Sequence, residues 1–100
     1  MKKNIKLSTL VVVHNEEKIL SSCLQKLKYT DELVVVLDRT SDNSKIIAKK
    51  YEATIYEGSW KIEAKRRNFG IKMCKGDWIL EVDADEHVPK ELFTEIRKVI

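Results

Sequence analysis

Two aspartates stand two positions apart in Asp83-Ala84-Asp85, with Glu86 beside them, directly after the largely apolar stretch from Trp78 to Val82, interrupted by Glu81. If the chain stays extended there, side chains at i and i+2 point to nearly the same side. Clustered carboxylate oxygens repel one another unless a cation or a donor joins them. A hard divalent ion, Mg2+ or Mn2+, meets that need: it takes carboxylate oxygen, keeps positions open for water, and is commonly completed by substrate phosphates. The same pattern also suits a solvated acidic turn before a helix, with Asp85 or Glu86 as an N-terminal charge. Spacing alone leaves both readings open.

Asp38 follows the apolar run Leu33-Val34-Val35-Val36-Leu37, a place where an acidic residue in a doubly wound sheet accepts hydrogen bonds from a ribose hydroxyl or a base N–H. Asp38, Asp42 and Asn43 equally suit Asx-turns and caps, and Asp42 is assigned to capping. Lys61, Lys65, Arg66 and Arg67 form a basic patch, where a guanidinium could meet a phosphate, a base carbonyl or a carboxylate. Arg66 shares the side of Ile62, Phe69 and Met73 at helical spacing, so it is not simply solvated. His14 has no evident partner that would make it a base, and His87 is a loop histidine after the acidic cluster. Neither GxGxxG nor a GxxxxGK followed by Ser or Thr occurs, so the glycine cradles for dinucleotides and triphosphates are missing. A metal is then the simplest way to hold phosphates.

The elements that must position these residues alternate. Leu7 to Val13 is β-branched with little polar alternation, as in a strand buried on both faces. Asn15 is expected to cap a helix with Glu16 and Glu17 in its first turn and Ile19, Leu20, Cys23, Leu24 and Leu27 as its buried stripe. Glu32 to Leu37 is a second strand, and a second helix carries Ile46, Ile47, Ala48 and Tyr51. Thr54 to Tyr56 is a short third strand, Lys61 to Met73 a third helix, and Trp78 to Val82 a fourth strand. Pro89 opens a fourth helix with Leu92, Ile96, Val99 and Ile100 on one face. Strands joined by helices imply βαβ units, a mostly parallel sheet, and ligands at the carboxyl ends of the strands where the order reverses.

The 100 residues, 43% hydrophobic and 35% charged, suffice for one core and lie far from disordered composition. Nineteen Lys+Arg against sixteen Asp+Glu leave a net charge of +3, interspersed and without the basic stripe of a nucleic-acid binder, so no nucleic-acid partner is expected. No apolar run approaches the roughly 20 residues that span a bilayer. Met1-Lys2-Lys3-Asn4 opens no signal-type segment, and the chain reads as cytoplasmic. Cys23 and Cys74, without CxxC or histidines at ligand spacing, read as small core residues of a reduced compartment.

Four segments in order resemble the N-terminal half of family 2 glycosyltransferases, inverting enzymes of GT-A fold. They are Val11-Val12-Val13-His14-Asn15-Glu16-Glu17, Val34-Val35-Val36-Leu37-Asp38-Arg39-Thr40-Ser41-Asp42, Arg67-Asn68-Phe69-Gly70, and Lys75-Gly76-Asp77-Trp78-Ile79-Leu80 leading into Asp83-Ala84-Asp85-Glu86. The resemblance implies an α/β, Rossmann-like nucleotide-binding half with a mostly parallel sheet of about four strands. It implies that Asp38 contacts the nucleobase, Glu16 lies along the nucleoside, Arg67 belongs to the nucleotide pocket, and Asp83 contacts the ribose. Val12 and Asn15 of the opening segment join that nucleotide-sugar site. Asp85, with Asp83, is implied to hold a divalent cation, Mg2+ or Mn2+, on the diphosphate. Val12 and His14 depart from the family's frequent Pro and aromatic or Lys, and Leu37-Asp38 from its frequent Asp pair; these departures bear on the nucleobase.

The implied reaction is metal-dependent transfer of a sugar from a nucleoside diphosphate sugar, UDP-type, to a glycan or lipid-linked acceptor in lipopolysaccharide or other cell-surface glycan synthesis. It leaves room for peripheral association of the full-length enzyme with the inner face of the membrane. An inverting transfer needs a general base, which in the family comes from a segment beyond Asp85; neither Glu86 nor His87 replaces it. The fourth helix runs apolar to Ile100 without a cap, so the chain is expected to be truncated after the Asp-x-Asp motif and inactive alone. A sugar nucleotidyltransferase would need a Gly-rich, Arg/Lys-bearing signature near the first strand. A non-catalytic receiver-like domain would need a Lys after a later strand.

Overall fold

The computed structural model describes residues 4–100, in which strands and helices alternate: β1 (Leu7–Val13), α1 (Glu17–Gln25), β2 (Glu32–Asp38), α2 (Ser44–Lys50), β3 (Thr54–Gly58), α3 (Glu63–Met73), β4 (Trp78–Asp83) and α4 (Lys90–Val99). The expectation about a leader segment at Met1 to Lys3 lies outside the described residues. All strand pairs are parallel, in the order β3-β2-β1-β4. The chain steps outward from β1 to β2 to β3 and then returns to the other side of β1, so the topological switch point lies between β1 and β4.

Two unequal apolar layers cover the sheet. On one face Leu7, Val11, Val13, Val35 and Leu37 pack with Leu20, Cys23 and Leu24 of α1, Ala48 of α2 and Phe93 of α4. On the other, Leu10, Val34 and Val36 meet Phe69 and Ile71 of α3, together with Trp60 and Tyr56. The run of small β-branched residues in β1 and β2 is explained by this double coverage, which leaves no polar face. Gly70 sets the approach of α3: a Cβ there would stand 2.7 Å from Leu10 Cδ1 and 3.2 Å from Val36 Cγ2.

Three local expectations change. Asn15 does not cap α1; it takes a left-handed backbone, φ 48°, and Glu16 occupies the capping position without a side-chain cap bond. The third helix starts at Glu63 rather than Lys61, because Ile62 is still extended at φ −109°, ψ 119°. On α4 the buried residue is Phe93, 2% exposed, whereas Leu92 and Val99 stand at 39% and 80%. The helix contacts the core through Phe93, Ile96 and Ile100, and Arg97 fixes its rotation with a two-pronged bond to Asp31 at 2.9 and 3.0 Å. That guanidinium, aided by the Leu7 and Lys6 amides and opposed by burial, holds the Asp31 carboxyl down at about 2.

Candidate functional site

Register brings the singled-out residues to one place. Val12 is opposite Val36 on one side and Asp83 on the other. Asp38 lies two residues beyond Val36, so Val12, Asp38 and Asp83 share the α3 face at the carboxyl ends of three adjacent strands. Val12, Asp83, Arg66 and Arg67 line one small cleft there, with a volume of about 40 Å³. That is far below the roughly 300 Å³ of an enclosed ligand pocket, so a nucleotide-sized ligand would lie over the strand ends.

Asp38 is the most constrained group in the region. Its carboxylate is fully buried and accepts from Arg66 Nη1 at 2.8 Å, the Trp60 amide at 2.9 Å, and Arg39 Nε and Nη2 at 3.1 and 3.3 Å. Burial alone would raise its pKa; the bonds from Arg66, Trp60 and Arg39 outweigh it and hold the group at about 2. Of the two adjacent arginines, Arg66 thus turns toward the sheet and Arg67 toward its edge, where its Nε meets Glu81 at 3.2 Å. Helical phase explains the division, since neighbouring positions differ by about 100°.

The loops after β1 and β2 are stitched together. Asn15 Oδ1 accepts the Ser41 amide at 2.8 Å, and Asp42 accepts the amides of Glu17 at 3.1 Å and Ser44 at 2.9 Å. Burial opposes the Asp42 charge, but the hydrogen bonds from Ser44 and Glu17 win and its pKa is lowered. The capping position of α2 is Asn43 rather than Asp42, and Asp42, one residue earlier, instead takes the first amide of each helix. His14 Nδ1 lies 2.7 Å from the Asp38 carbonyl. A carbonyl oxygen only accepts, so Nδ1 is the donor in this contact. Sequence gave no signal for the roles of Arg39 and Trp60, because the Trp60 contribution is a backbone amide and Arg39 bonds the side chain preceding its own.

At the end of β4 the chain does not stay extended. The Glu86 amide donates to the Asp83 carbonyl at 2.9 Å and Glu86 Oε1 accepts the Asp83 amide at 2.8 Å, closing a turn over buried Ala84. Glu86 is therefore occupied within the turn. Asp83 and Asp85 are exposed, and neither carboxylate has a hydrogen-bond or ion-pair partner among the described residues. Cys23 beneath them registers the cluster: burial pushes its thiol up to about 11, and the charges of Glu86, Asp85, Glu16 and Asp83 add to the rise. Among the described residues no three His, Cys, Asp or Glu side chains converge tightly enough to hold an ion by themselves. By donor chemistry these two carboxylates, without a partner among the described residues, suit a Mg2+ or Mn2+ ion whose other positions would come from water and phosphate oxygens, the usual way Mg2+ is held.

With this geometry in place, comparison with known proteins is decisive for kinship. The Glycosyl transferase family 2 profile matches residues 8–100. The chain belongs to this family. An uncharacterized glycosyltransferase of Rickettsia typhi is 34% identical over 95 residues, covering 94% of this chain and 32% of that protein. The lipopolysaccharide core biosynthesis glycosyltransferase LpsC of Rhizobium meliloti is 28% identical over 92 residues, covering 86% of this chain and 34% of LpsC. The crystal structure of S. aureus TarS residues 1–349 in complex with UDP superposes with a TM-score of 0.78 at 27% identity, covering 94% of this chain and 31% of that one. The chain thus spans about a third of the length of the relatives it matches. Family membership and the parallel sheet of GT-A type agree with the resemblance carried by the sequence motifs. No described helix is long and apolar enough to cross a membrane.

Proposed function

We propose that the chain forms the donor-binding, N-terminal part of a cation-assisted inverting glycosyltransferase that takes a nucleoside diphosphate sugar, UDP-type, and acts in cell-surface glycan synthesis. The observation that carries this reading is the pair of carboxylates, Asp83 and Asp85, that have no partner among the described residues and stand at the switch point between β1 and β4. When bound there, Mg2+ or Mn2+ supplies charge neutralisation to the diphosphate, whose negative charge grows as it leaves the sugar. Asp83, beside Val12 on the α3 face, is placed to meet the ribose, with Asp85 on the ion. Asn15 and Glu16, in the loop after β1, are assigned to the nucleoside and Asp38 to the base end, while Arg67 lines the cleft and pairs with Glu81.

The kinship with a lipopolysaccharide core enzyme and with a protein crystallised with UDP supports the substrate class. The acceptor is then a glycan or lipid-linked glycan, and the full-length enzyme works on the cytoplasmic side of the membrane it serves. Glu86 is held by the Asp83 amide, and His87 sits past that turn, so neither serves as the general base. The hundred residues are expected to bind donor without transferring sugar. Titrating UDP with Mg2+ into the 15N-labelled chain tests this. Amide shifts should change at residues 12–16, 38–41 and 83–86; no change at millimolar UDP, or change confined to another surface, would overturn the assignment.

A further inference from the structure

The base end of the site holds an arrangement that the family resemblance does not describe. An ionised carboxylate offers about four lone-pair directions, and Asp38 spends them on Arg39 Nε, Arg39 Nη2, the Trp60 amide and Arg66 Nη1, all within 3.3 Å. Its side chain has no exposed surface, whereas that of Arg39 is 47% exposed. A base N–H reaching Asp38 would first have to displace the Arg39 guanidinium. What the molecule presents at the end of β2 is a guanidinium held flat by a buried carboxylate.

Arg39 itself is in a left-handed conformation, φ 50°, in a residue other than Gly or Asn. Such a backbone is uphill for a residue with a long side chain and clusters at functional sites. It is pinned by the Arg39 amide donating to the Gly58 carbonyl at 2.8 Å as well as by the side-chain fork on Asp38. Of the five N–H donors of the guanidinium, two are used on Asp38, leaving three for an acceptor. Asp38 and Asp83 are separated by β1, and Asp38 stands two residues beyond the level of Asp83, so the two positions lie about 12 Å apart. A nucleoside whose phosphates meet a cation at Asp83 and Asp85 would extend its base over this end of β2.

We propose that Arg39 reads the carbonyl edge of the nucleobase, with Asp38 and Arg66 acting behind it as positioning residues. The inference rests on the donor-binding function proposed above. Arginine donors match uracil O2 or O4, or guanine O6 and N7, whereas the matching edge of adenine offers an amino donor in place of a carbonyl. Arg39 therefore selects UDP or GDP over ADP, and its chemistry differs from direct acceptance of a base N–H by Asp38.

The test measures Kd values of UDP, GDP and ADP with Mg2+ by NMR titration of the chain and of Arg39→Ala and Arg39→Lys, each first checked for an unchanged amide spectrum away from residues 38–41. The expected result is a preference of about tenfold for UDP or GDP over ADP in the parent, lost in both variants, because lysine keeps the charge without the planar fork. Should Arg39→Ala not fold, Arg39→Lys carries the comparison. An unchanged preference in Arg39→Lys, or tighter UDP binding in Arg39→Ala, overturns the inference, the latter showing that the base pairs with Asp38 once the arginine is gone. Absence of binding by all three nucleotides to the parent chain overturns the function itself and this inference with it.

Discussion

Replacing Asp38 by Asn tests whether the buried carboxylate organises the base end of the site. The carboxylate holds four donors and is fully buried, and its pKa stands at about 2 against an ordinary 3.8. A depressed carboxyl pKa stabilises the fold above the unfolded value and loses that contribution as pH falls through the folded one, here between about 4 and about 2. At 1.36 kcal/mol per unit the gap is worth about 2 kcal/mol. Asn keeps one oxygen and turns an amide NH2 toward Arg39 or Arg66, so the loss at neutral pH should be about 2 to 4 kcal/mol. Urea denaturation followed by far-UV circular dichroism, at neutral pH and across the acid range, reads both quantities. Asp31, also at about 2, titrates in the same window, so Asp38→Asn should retain part of the acid slope and lose the rest. An unchanged urea midpoint at neutral pH, or an acid slope equal to that of the parent, would refute the reasoning.

Phe93→Ala removes a ring that is 2% exposed and tilted against Tyr29 with centroids 5.8 Å apart, and should cost about 3 to 5 kcal/mol in urea unfolding. Val99→Ser, at 80% exposure on the same helix, should change stability by less than about 0.5 kcal/mol. Gly70→Ala would gain about 1 kcal/mol from helix propensity alone, but its Cβ meets Leu10 at 2.7 Å. A thermal scan should therefore show a lower Tm, and a higher one would mean that α3 does not approach the sheet this closely.

The strands and the parallel sheet were legible because β1 and β2 are largely apolar runs ending in the polar segments that carry the site; that Val12, Asp38 and Asp83 share one face follows from the register of the pairing, which the sequence pattern does not encode. The sheet-facing side of Arg66 was legible from its phase with Phe69, although Ile62, expected on the same side, lies before the helix and is exposed; the partner of Arg66 was not legible, since the contact with Asp38 depends on how α3 crosses β2. Asn15 looked like a cap because asparagine is a preferred capping residue; its tolerance of left-handed backbone is used instead to reach Ser41. Asp83 and Asp85 were expected on an extended chain, and the turn closed by Glu86 rests on a side-chain bond that spacing does not encode. The amphipathic reading of α4 favoured Leu92 and Val99 because they are large and apolar, whereas the Arg97–Asp31 ion pair and the Tyr29 ring rotate Phe93 inward.

The central claim is that a nucleoside diphosphate binds at the switch point through a cation held by Asp83 and Asp85. Paramagnetic broadening by substoichiometric Mn2+, recorded on the 15N-labelled chain with and without UDP, tests it most directly. UDP-dependent broadening centred on residues 83–86 and 12–16 is expected, abolished in the Asp83→Asn, Asp85→Asn double variant. Broadening that is independent of UDP, centred elsewhere, or undiminished in the double variant would contradict it.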